Sequence, residues 1–476
     1  MSDRRAPRAG SAREKPAREK SARDKPAYVR DKAVDEPRAA ARDVLRAVRE
    51  RDAYANLVLP KMLRERHITG RDAAFATELT YGTARAMGVL DRIIAAAANR
   101  PVAEIDGPVL DVLRLGAYQL LRTRVEPHAA VSTSVDLIRS EMGQGPAGFC
   151  NAVLRKIAQK DEELWTDTLA PSMGEDPVGH LAFRYAHPRW IAAAFLDALG
   201  GSLGQLQALL AADDDRPLVH LAARPGLITA EELALTTGGE QARYSPYGVY
   251  LDGGDPGKLD PVRDGLAGVQ DEGSQLVARA VTVADVDGED TGRWLDLCAG
   301  PGGKAAMIGA LADIDGARVD AVEIAPHRAD LIRRAVDGLP VTVHVADGRD
   351  PHLTEGYDRV LLDAPCTGLG SLRRRPEARW RRQPGDVAEL VGLQRQLLDS
   401  ALDLVRPGGV VVYSTCSPHR AETVDIVDAV ADRDDVEVLD ARAYVPADNL
   451  GDGPYVQLWP HVHGTDAMFL AALRKR

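Results

Sequence analysis

The chain has 476 residues, 45% of them hydrophobic and only 5% aromatic, with a net charge of −11. That length implies two to four domains, since one core rarely grows beyond about 250–300 residues. No run approaches the ~20 apolar residues of a membrane span and the N-terminus is too polar for a secretory signal, so a cytoplasmic protein is expected. The four cysteines, Cys150, Cys298, Cys366 and Cys416, lack the spacing of a disulfide framework or a zinc site. Free thiols and no metal follow.

Residues 1–32 carry eleven Lys/Arg against five Asp/Glu, a net +6, which leaves −17 for the remainder. This uneven balance permits RNA binding through local basic patches without predicting it. The segment repeats Ala12-Arg-Glu-Lys, Ala17-Arg-Glu-Lys and Ala22-Arg-Asp-Lys between prolines. It has too little apolar surface to offset its ordering entropy, so residues 1–36 read as a disordered basic tail. Attraction to a phosphate backbone and a solvated extension are equally good readings of it.

Over 37–165 the apolar spacing becomes helical. Asp106-Gly107-Pro108 gives a cap and a first-turn proline, and Leu110, Leu113, Ala117, Leu120 and Leu121 then share one face until Pro127. Similar spacing over 39–48, 72–85, 131–140 and 150–157 predicts an all-α domain of six or seven helices. Cys150 reads as a small core residue, with no base near it.

Residues 166–265 predict a linker and a small α/β substrate-binding subdomain, with a helical stretch near 185–199 and a strand over 216–224. His187, before Pro188, reads as a helix-entry residue, not a catalytic base. Val269-Gln-Asp-Glu-Gly-Ser-Gln275 opens the last domain, 266–476.

From Arg293 strand and helix signals alternate. Strands are expected at 294–297, 319–324, 341–345, 359–363 and 410–414, the doubly wound α/β pattern that binds ligands at the strands' carboxyl ends. The first runs into Asp296-Leu-Cys298-Ala299-Gly300-Pro301-Gly302-Gly303-Lys304, whose glycines let backbone approach a ligand. The turn lacks dinucleotide GxGxxG spacing. Glu323 ends the second strand, where it can accept from both ribose hydroxyls, and Asp347 follows the third, near an adenine. Together these features favour S-adenosylmethionine as cofactor.

After the fourth strand stands Asp363-Ala-Pro-Cys366 in place of the Asn/Asp-Pro-Pro-aromatic turn of amine methylation. This points to carbon as the methyl acceptor. Pyrimidine C5 becomes nucleophilic only when a thiolate adds to C6, which calls for a cysteine, an acid at N3 and a later base. Cys416, after Val410-Val411-Val412, ends the neighbouring strand.

Glu78-Leu-Thr-Tyr-Gly-Thr, His128-Ala-Ala-Val and Asn151-Ala-Val-Leu-Arg-Lys, in this order before these motifs, resemble the Fmu/Sun family of ribosomal RNA small-subunit methyltransferases, type B. The resemblance implies a Rossmann-like S-adenosylmethionine methyltransferase sheet preceded by an all-α NusB-like RNA-binding domain and a small α/β subdomain. It implies methylation of cytosine C5 in 16S ribosomal RNA by a monomer. By the same resemblance Cys416 is the nucleophile, Cys366 assists release of the covalent adduct, and Asp363 contacts the cytosine ring. Residues 298–304, Glu323, Asp347 and Asp363 would hold the cofactor. Transfer RNA or another ribosomal position as substrate, and an idle RNA-binding assembly factor, remain open alternatives.

Between the cysteines, Ser371 to Arg382 holds six arginines and Trp380. This favours phosphate contact, with Trp380 free to stack or pack. Glu422 matches the family's acid, whereas Thr423 stands where asparagine is common. Residues 463–473 predict a last antiparallel strand at the sheet edge.

Overall fold

The computed structural model describes residues 35–476; the tail expected over 1–36 lies outside them but for its last two residues. Asp35 instead caps the first helix, accepting from Arg38 N–H, with Pro37 in the opening turn. Seven helices then follow: α1 (Glu36–Arg51), α2 (Ala55–Glu65), α3 (Gly70–Ala98), α4 (Gly107–Arg122), α5 (Pro127–Met142), α6 (Gln144–Ile157) and α7 (Glu162–Leu169). Their apolar stripes meet in one core, where Leu113, Ile138, Leu154 and Cys150 are fully buried. Burial pushes the Cys150 thiol up to about 12, which leaves it inert.

The stretch expected as one helix near 185–199 is part of a three-helix layer, α8 (Pro177–Arg184), α9 (Arg189–Ala198) and α10 (Leu203–Asp214). It shares a core with Leu369 and Leu372, just beyond Cys366. His187 is buried, its Nδ1 2.6 Å from the Tyr185 carbonyl. Next come β1 (Val219–Ala223), α11 (Ala230–Thr237), β2 (Glu240–Gln241), β3 (Gly248–Leu251), α12 (Asp260–Arg263) and β4 (Ala267–Val269). They form an antiparallel sheet in the order β2-β3-β1-β4.

The remainder is α13 (Glu272–Val283), β5 (Arg293–Asp296), α14 (Gly303–Asp315), β6 (Arg318–Val322), α15 (Pro326–Ala335), β7 (Val341–His344), β8 (Tyr357–Asp363), α16 (Ala378–Arg381), α17 (Pro384–Leu404), β9 (Val405–Thr415), α18 (Val424–Ala431), β10 (Val436–Leu439), β11 (Val456–Gln457), α19 (Pro460–His463) and β12 (Phe469–Lys475). The sheet order is β10-β12-β9-β8-β5-β6-β7, with β5 to β9 parallel and β12 antiparallel to β9. Along β9, Val410 and Val412 face the core under α13 and α14, while Val411 and Tyr413 face that under α17 and α18. Both faces are covered, so the strand reads as a continuous apolar run. The chain winds one way from β5 through β6 to β7 and the other way through β8 to β9. The crevice between β5 and β8 is therefore the switch point where ligands bind, and no helix among the described residues is long and apolar enough to cross a membrane.

Candidate active site

Two loops meet at this switch point. The first, after β5, is the glycine turn. Gly302 has φ +113°, a conformation that side chains rarely adopt, and a Cβ on Gly300 would overlap Glu323 Oε2. Glycine thus lets the turn lie directly against the acid that ends β6. Glu323 is buried, accepts from Ala325 N–H at 2.9 Å, and faces Arg328 at 3.4 Å. Arg328 also donates to the Gly300 carbonyl at 2.7 Å, fixing turn and acid together.

Asp296 closes β5 with both carboxylate oxygens buried and with no side-chain partner among the described residues, only the Cys298 N–H close by. Burial, and then the nearby Asp363 charge, raise its pKa to about 7. Sequence reasoning treated it only as the start of the motif, although an acid closing a buried strand was the available signal. A second unmatched group is Gln270, at the end of β4: its Nε2 is buried without a partner, 3.8 Å from where a Gly303 Cβ would stand. Buried donors and acceptors left unpaired cost roughly 1–3 kcal/mol each, so a pair of them around one open turn marks a place that a polar ligand completes.

Further along, Asp347 accepts from Arg349 N–H at 3.0 Å and from its guanidinium, which lowers its pKa. Ile324 and Val345, following β6 and β7, are 61% and 45% exposed. These apolar side chains beside the two acids were also missed, because exposure cannot be read from apolarity. Cys298 is partly buried in the turn, and burial holds its pKa well above the usual thiol range. Lys304 opens α14 and pairs with Asp363 at 2.7 Å, so it reaches the second loop and not only the turn.

That second site is built by β8 and β9. Asp363 pairs in register with Ser414, whose hydroxyl donates to Asp363 Oδ1 at 3.0 Å. Three residues past Asp363, Cys366 Sγ lies 3.4 Å from Cys416 Sγ, one residue past β9. The hydrogen bond from Cys366 draws the Cys416 pKa down, helped by the charges of Lys304 and Arg375 against burial and Asp363. The same bond, with burial, drives Cys366 well up. Of the two thiols, Cys416 is thus the more readily ionised.

Glu422 holds the two cysteine loops together. It is fully buried and accepts from Thr367 N–H (2.8 Å) beside Cys366, and from Ser417 Oγ (2.6 Å) beside Cys416. Gly370 N–H completes the clamp by donating to the Cys416 carbonyl at 2.8 Å.

The arginine-rich segment departs from expectation. Arg373 and Arg374 bind Asp271 and Asp466; Arg379 is fully buried and donates to the Ala186 and Asp213 carbonyls; Arg381 donates to Val48, Asp52 and Ala53; Arg382 donates to Thr367. Trp380 donates to the Ala84 and Arg85 carbonyls, with its ring where a Gly88 side chain would be. Those five arginines and the tryptophan knit the helical layers to the catalytic loop, and RNA contact by them is corrected to an internal structural role. Only Arg375 is exposed.

A doubly wound sheet with a glycine turn, a buried acid against it and two close thiols at its switch point is the fold of an S-adenosylmethionine-dependent methyltransferase. Residues 282–474 match the family described as 16S rRNA methyltransferase RsmB/F, and residues 35–159 match the NusB family. A Mycobacterium tuberculosis (strain ATCC 25618 / H37Rv) protein named as a candidate methyltransferase is 62% identical over 448 residues, covering 94% of this chain and 98% of its own. Ribosomal RNA small subunit methyltransferase B of Salmonella typhi is 32% identical over 453 residues, covering 92% and 98%. The chain belongs to the RsmB/F family of RNA methyltransferases, which use S-adenosylmethionine. The crystal structure of PH0851 shares the fold over 93% of this chain and 98% of that one (TM-score 0.77, 22% identity). NSun6 from Pyrococcus horikoshii, solved with SFG, matches 60% of this chain and 98% of its own (TM-score 0.51, 19% identity).

Proposed function

We infer that the chain methylates C5 of cytosine in small-subunit ribosomal RNA, with Cys416 as nucleophile. The observation that carries this reading is the thiol pair: two sulfurs 3.4 Å apart, one driven toward thiolate and the other held as thiol. Cys416 Sγ adds to C6 of the ring, forming the S–C6 bond and moving an electron pair toward C5 as N3 takes up a proton. Asp363, oriented by Lys304 and Ser414, holds that proton at N3. Bound S-adenosylmethionine supplies an electrophilic methyl group. A base then removes the C5 proton, the returning electrons expel Cys416 as thiolate, and N3 gives up the proton it had taken, leaving neutral 5-methylcytosine. Cys366, adjacent to the departing sulfur, assists this release.

The groups left unpaired around the turn fit the cofactor. Glu323 suits the ribose hydroxyls; Ile324, Val345 and Asp347 suit the adenine; Asp296 and Gln270 suit the charged methionine end; the 298–304 backbone lies against it. The test is transfer of methyl to unmodified small-subunit RNA followed by nucleoside analysis. The expected product is 5-methylcytosine in that RNA; its absence under every condition would sink the reading, and its appearance only in transfer RNA would move the substrate.

A further inference from the structure

Six arginines follow Cys366, yet five serve internal partners. Among the described residues the Arg375 guanidinium makes no hydrogen bond or ion pair, although the protein is rich in acids. The backbone that carries it is nonetheless fixed, because the Arg375 main-chain N–H donates to the Ser371 carbonyl at 3.1 Å. Ser371 adjoins Gly370, which is bonded to the Cys416 carbonyl. Arg375 is also one of the two cations whose field reaches the Cys416 thiol.

The guanidinium lies 6.0 Å from the centroid of the Tyr54 ring, which belongs to the helical domain and is 41% exposed. Tyr54 sits in the short connection between α1 and α2, and the same arginine-rich segment grips both of its ends. Arg381 takes up the carbonyls of Val48, Asp52 and Ala53 at the end of α1; Glu377, 1% exposed, accepts from Ala55 N–H at 3.1 Å at the start of α2. The Arg381 guanidinium lies 5.5 Å from the centroid of the same ring. An exposed tyrosine whose hydroxyl makes no hydrogen bond among the described residues is thus held in place beside Arg375.

We propose that Arg375 and Tyr54 form an RNA anchor at the mouth of the thiol site, the guanidinium holding a backbone phosphate and the ring stacking on a base that flanks the target. Phosphate contacts position a strand without reading its sequence, and aromatic faces accept any base. The helical domain therefore supplies part of the substrate-binding surface next to the reacting atoms. This rests on the reading of Cys416 as the site where RNA reacts.

Equilibrium binding of a small-subunit ribosomal RNA transcript to the full chain, measured across a series of salt concentrations, tests the anchor. Arg375→Gln should weaken binding about tenfold and flatten the salt dependence by about one phosphate, while Arg375→Lys restores the slope. Tyr54→Ala should weaken binding about fivefold or more, and Tyr54→Phe should not. All four variants should melt with the wild type, since among the described residues neither side chain holds a hydrogen bond or ion pair. Arg375→Gln and Tyr54→Ala binding within twofold of wild type, with an unchanged salt slope, would overturn the proposal. Because binding is read without turnover, a protein that binds RNA yet forms no 5-methylcytosine would defeat the reaction assigned above and leave the anchor intact.

Discussion

The glycine turn after β5 and the arginine-rich segment after Cys366 are both dense in residues that bind phosphate or nucleotide elsewhere, and the structure treats them in opposite ways. Around the turn, Asp296 and Gln270 keep buried polar atoms without partners, and glycines leave room where side chains would stand. In the arginine segment most donors end on a carbonyl or carboxylate of another layer, and the buried atoms left over, Arg379 Nε and Glu377 Oε2, are enclosed between layers and not beside an open turn. Composition alone cannot separate these cases; the presence or absence of an internal partner does. A region whose unmatched polar atoms border an open turn is built for a ligand, and a region whose side chains mostly end on other layers is built for the fold.

The largest effect expected from this contrast is at Gly300. Gly300→Ala would drive a methyl group into Glu323 Oε2, and calorimetry should detect no cofactor binding to a protein that still melts cooperatively. Trp380→Ala should act on the other region: a stability loss of about 3 kcal/mol by thermal or denaturant unfolding, with cofactor affinity unchanged in the folded protein. Loss of cofactor affinity without loss of stability would reverse the comparison.

The third expectation concerns pH. With its pKa raised to about 7, Asp296 is protonated in the free protein below that value and ionised above it. A cationic cofactor favours the ionised form, so its affinity should rise about tenfold between pH 6 and pH 8 and level off above. Asp296→Asn should flatten the profile. The sign for stability is opposite: the raised pKa means that folding disfavours the carboxylate, so this group's contribution falls as pH rises from its unfolded value toward 7. Smallest is Gln270→Ala, which should weaken cofactor binding about fivefold, through one lost hydrogen bond.

Much of this was legible in the sequence. The five parallel strands showed themselves through apolar runs followed by acid or thiol, because a strand covered on both faces leaves no alternation to confuse it. The strand expected over 410–414 starts earlier, however, and β9 runs through Pro407-Gly408-Gly409 from Val405. The register slips opposite Tyr357 and Arg359, and Gly409 lies where any side chain would strike the Tyr357 and Asp358 carbonyls. The role of the arginines was not legible, because their partners are distant in sequence: Arg379 meets Ala186, and Arg381 meets Val48. Such pairings exist only after the layers dock. Glu422 was visible as an acid, but not as the residue that fastens the two cysteine loops, since Thr367 and Ser417 come together only when β8 and β9 pair.

The most direct test of the assigned reaction uses the two thiols against each other. Cys366→Ala and Cys416→Ala proteins, each incubated with S-adenosylmethionine and unmodified small-subunit RNA, are resolved under denaturing conditions. With Cys416 as nucleophile and Cys366 as the release group, the first should carry a covalent RNA adduct, and the second should carry none and transfer no methyl group. An adduct on the Cys416→Ala protein alone would contradict the account and exchange the roles of the two sulfurs.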